Sequence, residues 1–235
     1  MVPMVYFAAA WCLFWIAYRI IEIMKAPALP RTLRVFPETR DPEDTSKEHL
    51  LEAIWDAFTM PSVLKYKPMM WVFLMIFHAG LLVLFLAHLD LLPQINIMSP
   101  GSPHMIGNGA VGVALTVCAL YFLFRRFRSP VREVSVPADY LLLFLLFCIF
   151  VSGDVISWCN SWSENGFVMT KQDFGAYMDG LIRFTFEDPR KVLTGGHYAV
   201  IGTHVLLANL FLLVLPFSKI MHVFFAVPMN KLRRG

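Results

Sequence analysis

Five stretches of the chain carry almost no charge, and most of them approach the length needed to cross roughly 30 Å of hydrocarbon at about 1.5 Å per residue. They run from about Val5 to Ile23, Met69 to Leu92, Ile106 to Phe124, Ala138 to Ser152 and Tyr198 to Val227. The fourth is short, and Val155 to Trp158 offers an extension of it. Backbone N–H and C=O groups in lipid find no water, so segments of this length bond internally as helices. The expected architecture is an all-α integral membrane protein, a bundle of five transmembrane helices forming one domain over residues 1–235.

The polar segments between these runs set an orientation. Lys25, Arg31, Arg34, Arg40, Lys47, Lys65 and Lys67 lie between the first two runs, Arg125, Arg126, Arg128 and Arg132 between the third and fourth, and Lys219, Lys231, Arg233 and Arg234 near the C-terminus. Leu89 to Met105 has no Lys or Arg, and in Gly153 to His197 acidic residues outnumber Lys171, Arg183, Arg190 and Lys191. The positive-inside rule then places the N-terminus outside and the C-terminus in the cytoplasm. The inner segment at about 25–68 is Pro-rich and charged until Thr45. There Thr45-Ser46-Lys47-Glu48 forms a capping box, and Leu50, Leu51, Ile54 and Phe58 follow at helical spacing until Pro61. This predicts an amphipathic helix on the inner face, either lying in the lipid interface or presenting a docking surface to a cytoplasmic partner.

Composition agrees with lipid as the main solvent: 57% of residues are hydrophobic and only 16% are charged, with a mean hydropathy of +0.60. A soluble domain carries about a quarter charged residues. No nucleic-acid partner is expected. Cys12, Cys118, Cys148 and Cys159 are scattered without a CxxC or CxxCH pattern, which argues against a disulfide framework, structural zinc and covalent haem c. The first apolar run lacks a basic leading region and ends at Arg19, Glu22 and Lys25, so it is expected to be retained as a helix and not cleaved as a signal peptide.

Ionisable side chains inside membrane helices are expensive and mark candidate sites. Here they are mostly histidines: His78 and His88 in the second run, His204 and His222 in the fifth. In an ideal helix His204 and His222 share a face about 27 Å apart, whereas His78 and His88 differ in height by roughly 15 Å. The two helices run in opposite directions. His88 therefore matches His204 near the outer surface and His78 matches His222 near the inner one, provided that the helices tilt or Pro216 kinks the fifth. Paired neutral imidazoles can supply both axial nitrogens of a haem iron. The plainer alternative is that they hydrogen-bond backbone or neighbouring helices. Ala79, Gly80, Ala87 and Gly202 leave room for a macrocycle or serve helix packing. His197 is a reserve for His204. His104, at the outer start of the third helix, is a candidate contact for a quinone head or a simple capping group, and no catalytic role is expected for His49.

The segment Ile76-Phe77-His78 through Phe85-Leu86-Ala87-His88, with Leu215-Pro216-Phe217-Ser218-Lys219-Ile220-Met221-His222, resembles the membrane cytochrome b family of the respiratory nitrate reductase gamma subunit. Val136-Pro137-Ala138-Asp139-Tyr140, Ser152-Gly153-Asp154 and the stretch Lys171 to Phe186 are more similar to DsrM, the cytochrome of the sulfite-reduction-associated complex, and to the heterodisulfide reductase cytochrome. The resemblance implies a dihaem b subunit that passes electrons between membrane quinone or menaquinone and a cytoplasmic iron–sulfur subunit, DsrK- or HdrD-like or similar to the nitrate reductase beta subunit. Further membrane or periplasmic subunits belong to such complexes. His88 and His204 would hold the outer haem iron, and His78 and His222 the inner one, in a prokaryotic cytoplasmic membrane. Two departures stand out. The lysine that the nitrate reductase quinol site has after the second helix is missing here, where only His104 is basic. The long inner segment before Met69 suits a different soluble partner. The alternative from another class is a passive anchor or a proton-coupled carrier, for which repeats and intramembrane carboxylates would be expected.

Overall fold

The computed structural model describes residues 2–25, 47–92, 94–95, 110–162, 171–185 and 198–222. Among these the chain is all-helical. The helices are α1 (Val2–Lys25), α2 (Lys47–Thr59), α3 (Pro61–Tyr66), α4 (Pro68–Leu89), α5 (Ala110–Arg126), α6 (Pro137–Trp162), α7 (Lys171–Ile182) and α8 (Tyr198–Val214). Four contain segments long and apolar enough to cross a membrane: Val2–Glu22, Pro68–Leu89, Pro137–Trp158 and Tyr198–Phe217. The third apolar run forms α5, which at 17 residues is shorter than these.

The fourth apolar run, short in the sequence, is one unbroken helix, because Ser152, Gly153 and Asp154 continue it instead of ending it. Ser152 donates its hydroxyl to the Ile149 carbonyl at 2.8 Å, an internal bond that lets a polar side chain sit in an apolar helix. The neighbour order is α4, α5, α6, α8, α1. Leu115 and Ala119 of α5 and Leu146 and Phe150 of α6 form the core, against which Phe77, Leu81 and Leu84 of α4 and Phe211 of α8 pack. Gly80 is what allows α4 this close: a Cβ there would stand 3.0 Å from the Leu115 side chain. Its small size serves helix packing, so it does not make space for a macrocycle.

The short elements close the two ends. α2 stops at Thr59, Met60 adopts a left-handed backbone with φ 46°, and Pro61 starts α3. The Trp71 indole donates to the Thr59 carbonyl at 2.6 Å and ties this corner to α4. Leu51, Trp55 and Phe58 of α2 are exposed, as an amphipathic helix facing lipid or a partner requires. Thr45 and Ser46 of the expected capping box lie outside the described residues. At the other end α7, which hydrophobic patterning alone does not announce, accepts a 2.6 Å bond from the Tyr6 hydroxyl at the Leu181 carbonyl, and its Asp179 accepts one from Gln94 at 3.0 Å. It thereby joins the start of α1 to the segment that follows α4.

The fifth apolar run does not continue as one helix to Val227. α8 ends at Val214, Leu215–Phe217 forms a tighter turn, Ser218 is extended at φ −96° and ψ 165°, and a second tight turn covers Lys219–Met221. Pro216 causes the break, since it has no N–H to give and its ring crowds the preceding turn. Of the two ways expected for both histidine pairs to close, tilt or a disturbance at Pro216, the chain shows the second, as a break in the helix.

Candidate functional site

The break allows the histidines of α4 to meet both of their partners. His88 and His204 have ring centres 6.4 Å apart and planes inclined by 23°. His78 and His222 have ring centres 6.1 Å apart and planes inclined by 79°. Had α8 run straight, the mismatch between roughly 27 Å and roughly 15 Å along the two helices would have separated one pair. α4 and α8 are not among the closely packed helix pairs of the described residues, so the imidazoles meet across a gap between two backbones.

Every one of these rings has its Nδ1 engaged. His78 Nδ1 lies 2.7 Å from the Leu74 carbonyl and His88 Nδ1 2.7 Å from the Leu84 carbonyl, each one turn back along α4. His222 Nδ1 lies 2.9 Å from the Lys219 carbonyl. A carbonyl only accepts, so in each case Nδ1 carries the proton and Nε2 keeps its lone pair. His204 Nδ1 lies 2.9 Å from Ser152 Oγ. That hydroxyl has already given its proton to Ile149, so it too accepts, and His204 also presents an unprotonated Nε2. Gly153, beside Ser152, packs on the ring, and a Cβ there would make an ordinary contact at 3.4 Å from His204 Cε1.

The spacing tests what such pairs can hold. With metal–imidazole bonds of about 2 Å, and about 1.1 Å from the bound nitrogen to its ring centre, two imidazoles on opposite sides of one ion have centres about 6.2 Å apart. Both pairs fit. Among the described residues no group of three or more His, Cys, Asp or Glu side chains converges to hold a metal ion. The pairs therefore suit a centre whose remaining ligands are its own, as the equatorial nitrogens of haem are. Nδ1–H donation to a fixed acceptor is the usual outer support of a ligating histidine, because it sets the tautomer and raises the basicity of the other nitrogen.

The family model described as nitrate reductase gamma subunit matches residues 55–235, which include all four histidines. The chain belongs to the nitrate reductase gamma subunit family. Membership accords with the resemblance seen in the two histidine segments. Among curated proteins the chain is similar to the Hdr-like menaquinol oxidoreductase cytochrome b-like subunits of Archaeoglobus profundus and Archaeoglobus fulgidus. The first is 27% identical over 172 residues, 65% of this chain and 46% of the relative. The second is 28% identical over 176 residues, 68% of this chain and 50% of the relative. A component of the dihydromethanophenazine:CoB–CoM heterodisulfide reductase of Methanosarcina thermophila is 30% identical over 126 residues, 48% of each chain. The chain spans about half the length of the curated relatives it matches.

Of the residues singled out in the sequence, the structure brings together His78, His88, His204 and His222 in the two expected pairs. His104 and His197 lie outside the described residues, and α2 carries His49. Sequence reasoning missed the polar groups around the pairs. Asp154, just past the end of the fourth apolar run, is inside α6 and buried, and it accepts a 2.6 Å bond from Thr116 of α5. Gly112 sits against it so closely that an added Cβ would collide with the carboxylate. Asp139, Arg126 and Lys219 also join across three segments. Polar residues interrupting apolar runs were the available signal for each.

Proposed function

We propose that this member of the nitrate reductase gamma subunit family is a membrane dihaem cytochrome b subunit that carries electrons between a quinone pool and a cytoplasmic iron–sulfur partner. The observation that carries the reading is the double match of imidazole spacing, with ring centres 6.4 Å and 6.1 Å apart and all four Nδ1 atoms committed elsewhere. His88 and His204 hold the outer haem iron, and His78 and His222 the inner one. When bound, haem with two imidazole ligands supplies one-electron chemistry at an iron that changes state with little rearrangement. The protein holds the ligands at a defined separation, which favours small reorganisation.

The reading includes five membrane crossings in one domain. α5, at 17 residues, extends roughly 26 Å and serves as the fifth. The N-terminus lies outside and the C-terminus in the cytoplasm of a prokaryotic membrane, as the basic segments require. Quinol, of the menaquinol type named for the Archaeoglobus relatives, is oxidised near the outer face with its protons released there, and His104 contacts its head group. Electrons pass inward to an iron–sulfur subunit of the DsrK, HdrD or nitrate reductase beta kind, docked on the basic inner face beside α2.

Anaerobic optical titration of the purified chain tests this. Dithionite should develop a b-type haem spectrum, and a reduced menaquinone analogue should develop part or all of it. A chain without haem absorption overturns the cytochrome assignment. A dithionite-reducible chain that neither accepts electrons from a quinol nor gives them to a quinone overturns the quinone assignment.

A further inference from the structure

We propose that Asp139 is a positioning residue for the inner haem ligand His222, acting through Lys219. The inference rests on the reading that His78 and His222 hold a haem.

His222 is the one ligand of the four that stands beyond a regular helix. It follows a break at Pro216, an extended Ser218 and the tight turn Lys219–Met221. Within that turn its support is local: the Ser218 hydroxyl accepts from the Ile220 N–H at 3.2 Å, and the Lys219 carbonyl holds His222 Nδ1 at 2.9 Å. Ile220 packs against the core and Met221 is buried, which seats the apolar side of the turn, so the position of its polar side, and with it the imidazole, depends on how Lys219 is held.

The restraint comes from outside the turn. The Lys219 ammonium reaches Asp139 Oδ2 at 2.7 Å, across 80 residues of sequence. Asp139 is in the first turn of α6 and its side chain is only 4% exposed. The same oxygen accepts from the Arg126 guanidinium of α5 at 3.1 Å and from the Val136 N–H at 3.2 Å. Arg126 is in turn held by Ser135 at 3.0 Å, and the Tyr140 hydroxyl donates to its carbonyl at 2.8 Å. A carboxylate buried at the end of a membrane helix is costly unless fully paired, and a helix N-terminus favours its negative charge. The result is a buried carboxylate fixed by α5 and α6 that holds the ammonium of Lys219, whose side chain is otherwise 64% exposed, while the backbone of the same residue orients the ligand.

Two variants of the full chain, Lys219→Met and Asp139→Asn, cut the ion pair and leave the Lys219 carbonyl in place. They change the local charge in opposite senses. Electron paramagnetic resonance of the ferric protein, potentiometric titration and haem quantification are compared with the unaltered chain. Positioning predicts that both variants alter the ferric signal of the inner haem in the same way, by broadening or partial loss, with the outer haem unchanged, and that Asp139→Glu restores it in part. Opposite shifts in the inner potential with an unchanged signal shape would mean that the cluster acts by charge alone, and would overturn the proposal. Unchanged inner signals in both variants, or equal disturbance of the two haems, would overturn it as well. An unaltered chain without haem would instead remove the cytochrome reading on which the proposal rests.

Discussion

The two histidine pairs use the same side chains at nearly the same separation, yet they are built differently. Around His88 and His204 the support is three helices: α4 supplies one ring and its carbonyl acceptor, α8 the other ring, and α6 the Ser152 hydroxyl that fixes it. The planes there are close to parallel, at 23°. Around His78 and His222 only one ring stands on an unbroken helix. The other hangs on a turn tied to Asp139, and the planes are close to perpendicular, at 79°. Two sites with equal ligands can therefore differ in rigidity, in electronic character and in what a substitution does to them.

The largest effect tests whether the sites are separable. His204→Ala should remove the outer haem and largely spare the inner, and His222→Ala the converse, as haem per chain falls from about two to about one. Equal loss of both haems from either change would show that the pairs are one cooperative unit. The second test needs no substitution. Near-perpendicular imidazole planes leave the iron orbitals almost degenerate, so the inner ferric haem should give a strongly anisotropic low-spin resonance and the outer one an ordinary rhombic signal. Two identical signals would erase the contrast.

Ser152→Ala sharpens the comparison on one side only. It takes from His204 Nδ1–H its hydroxyl partner at 2.9 Å, weakens the basicity of Nε2 and so disfavours ferric iron. The outer potential should rise and that haem should be held about 10-fold less tightly, the lower end of what loss of an outer-shell partner costs, while the inner haem is unaffected. The smallest effect concerns the scaffold. Gly112→Ala drives a methyl group into the Asp154 carboxylate and should cost about 1–3 kcal/mol of stability, read as a lower thermal midpoint with unchanged haem spectra. Gly153→Ala, whose methyl would make only an ordinary contact with His204, should be tolerated.

Much of this was legible in the chain. Uncharged runs near membrane-spanning length announce helices, and His78 and His88 stand in an uninterrupted α4 where helical geometry applies directly. In the fifth run hydrophobicity continues past Pro216 while the regular helix ends at Val214. Pro216 signals a disturbance, but only the folded chain reveals whether it kinks the helix or ends it. The fourth run takes up the extension to Trp158 that the sequence offers, and Ser152, Gly153 and Asp154 within it form the polar seam of α6 against α5 and α8. The Asp139–Lys219 pair was illegible for a simpler reason: no periodicity along the chain reports a contact between residues 80 positions apart. Likewise Gly80 reads as space for a cofactor until Leu115 is seen to fill it.

The central claim is that each pair of facing imidazoles brackets one haem iron, and the most direct measurement is pyridine haemochrome quantification on the purified chain. Two facing pairs predict about two haem b per chain. A value below about one would contradict the claim, whatever the similarity of the chain to its relatives.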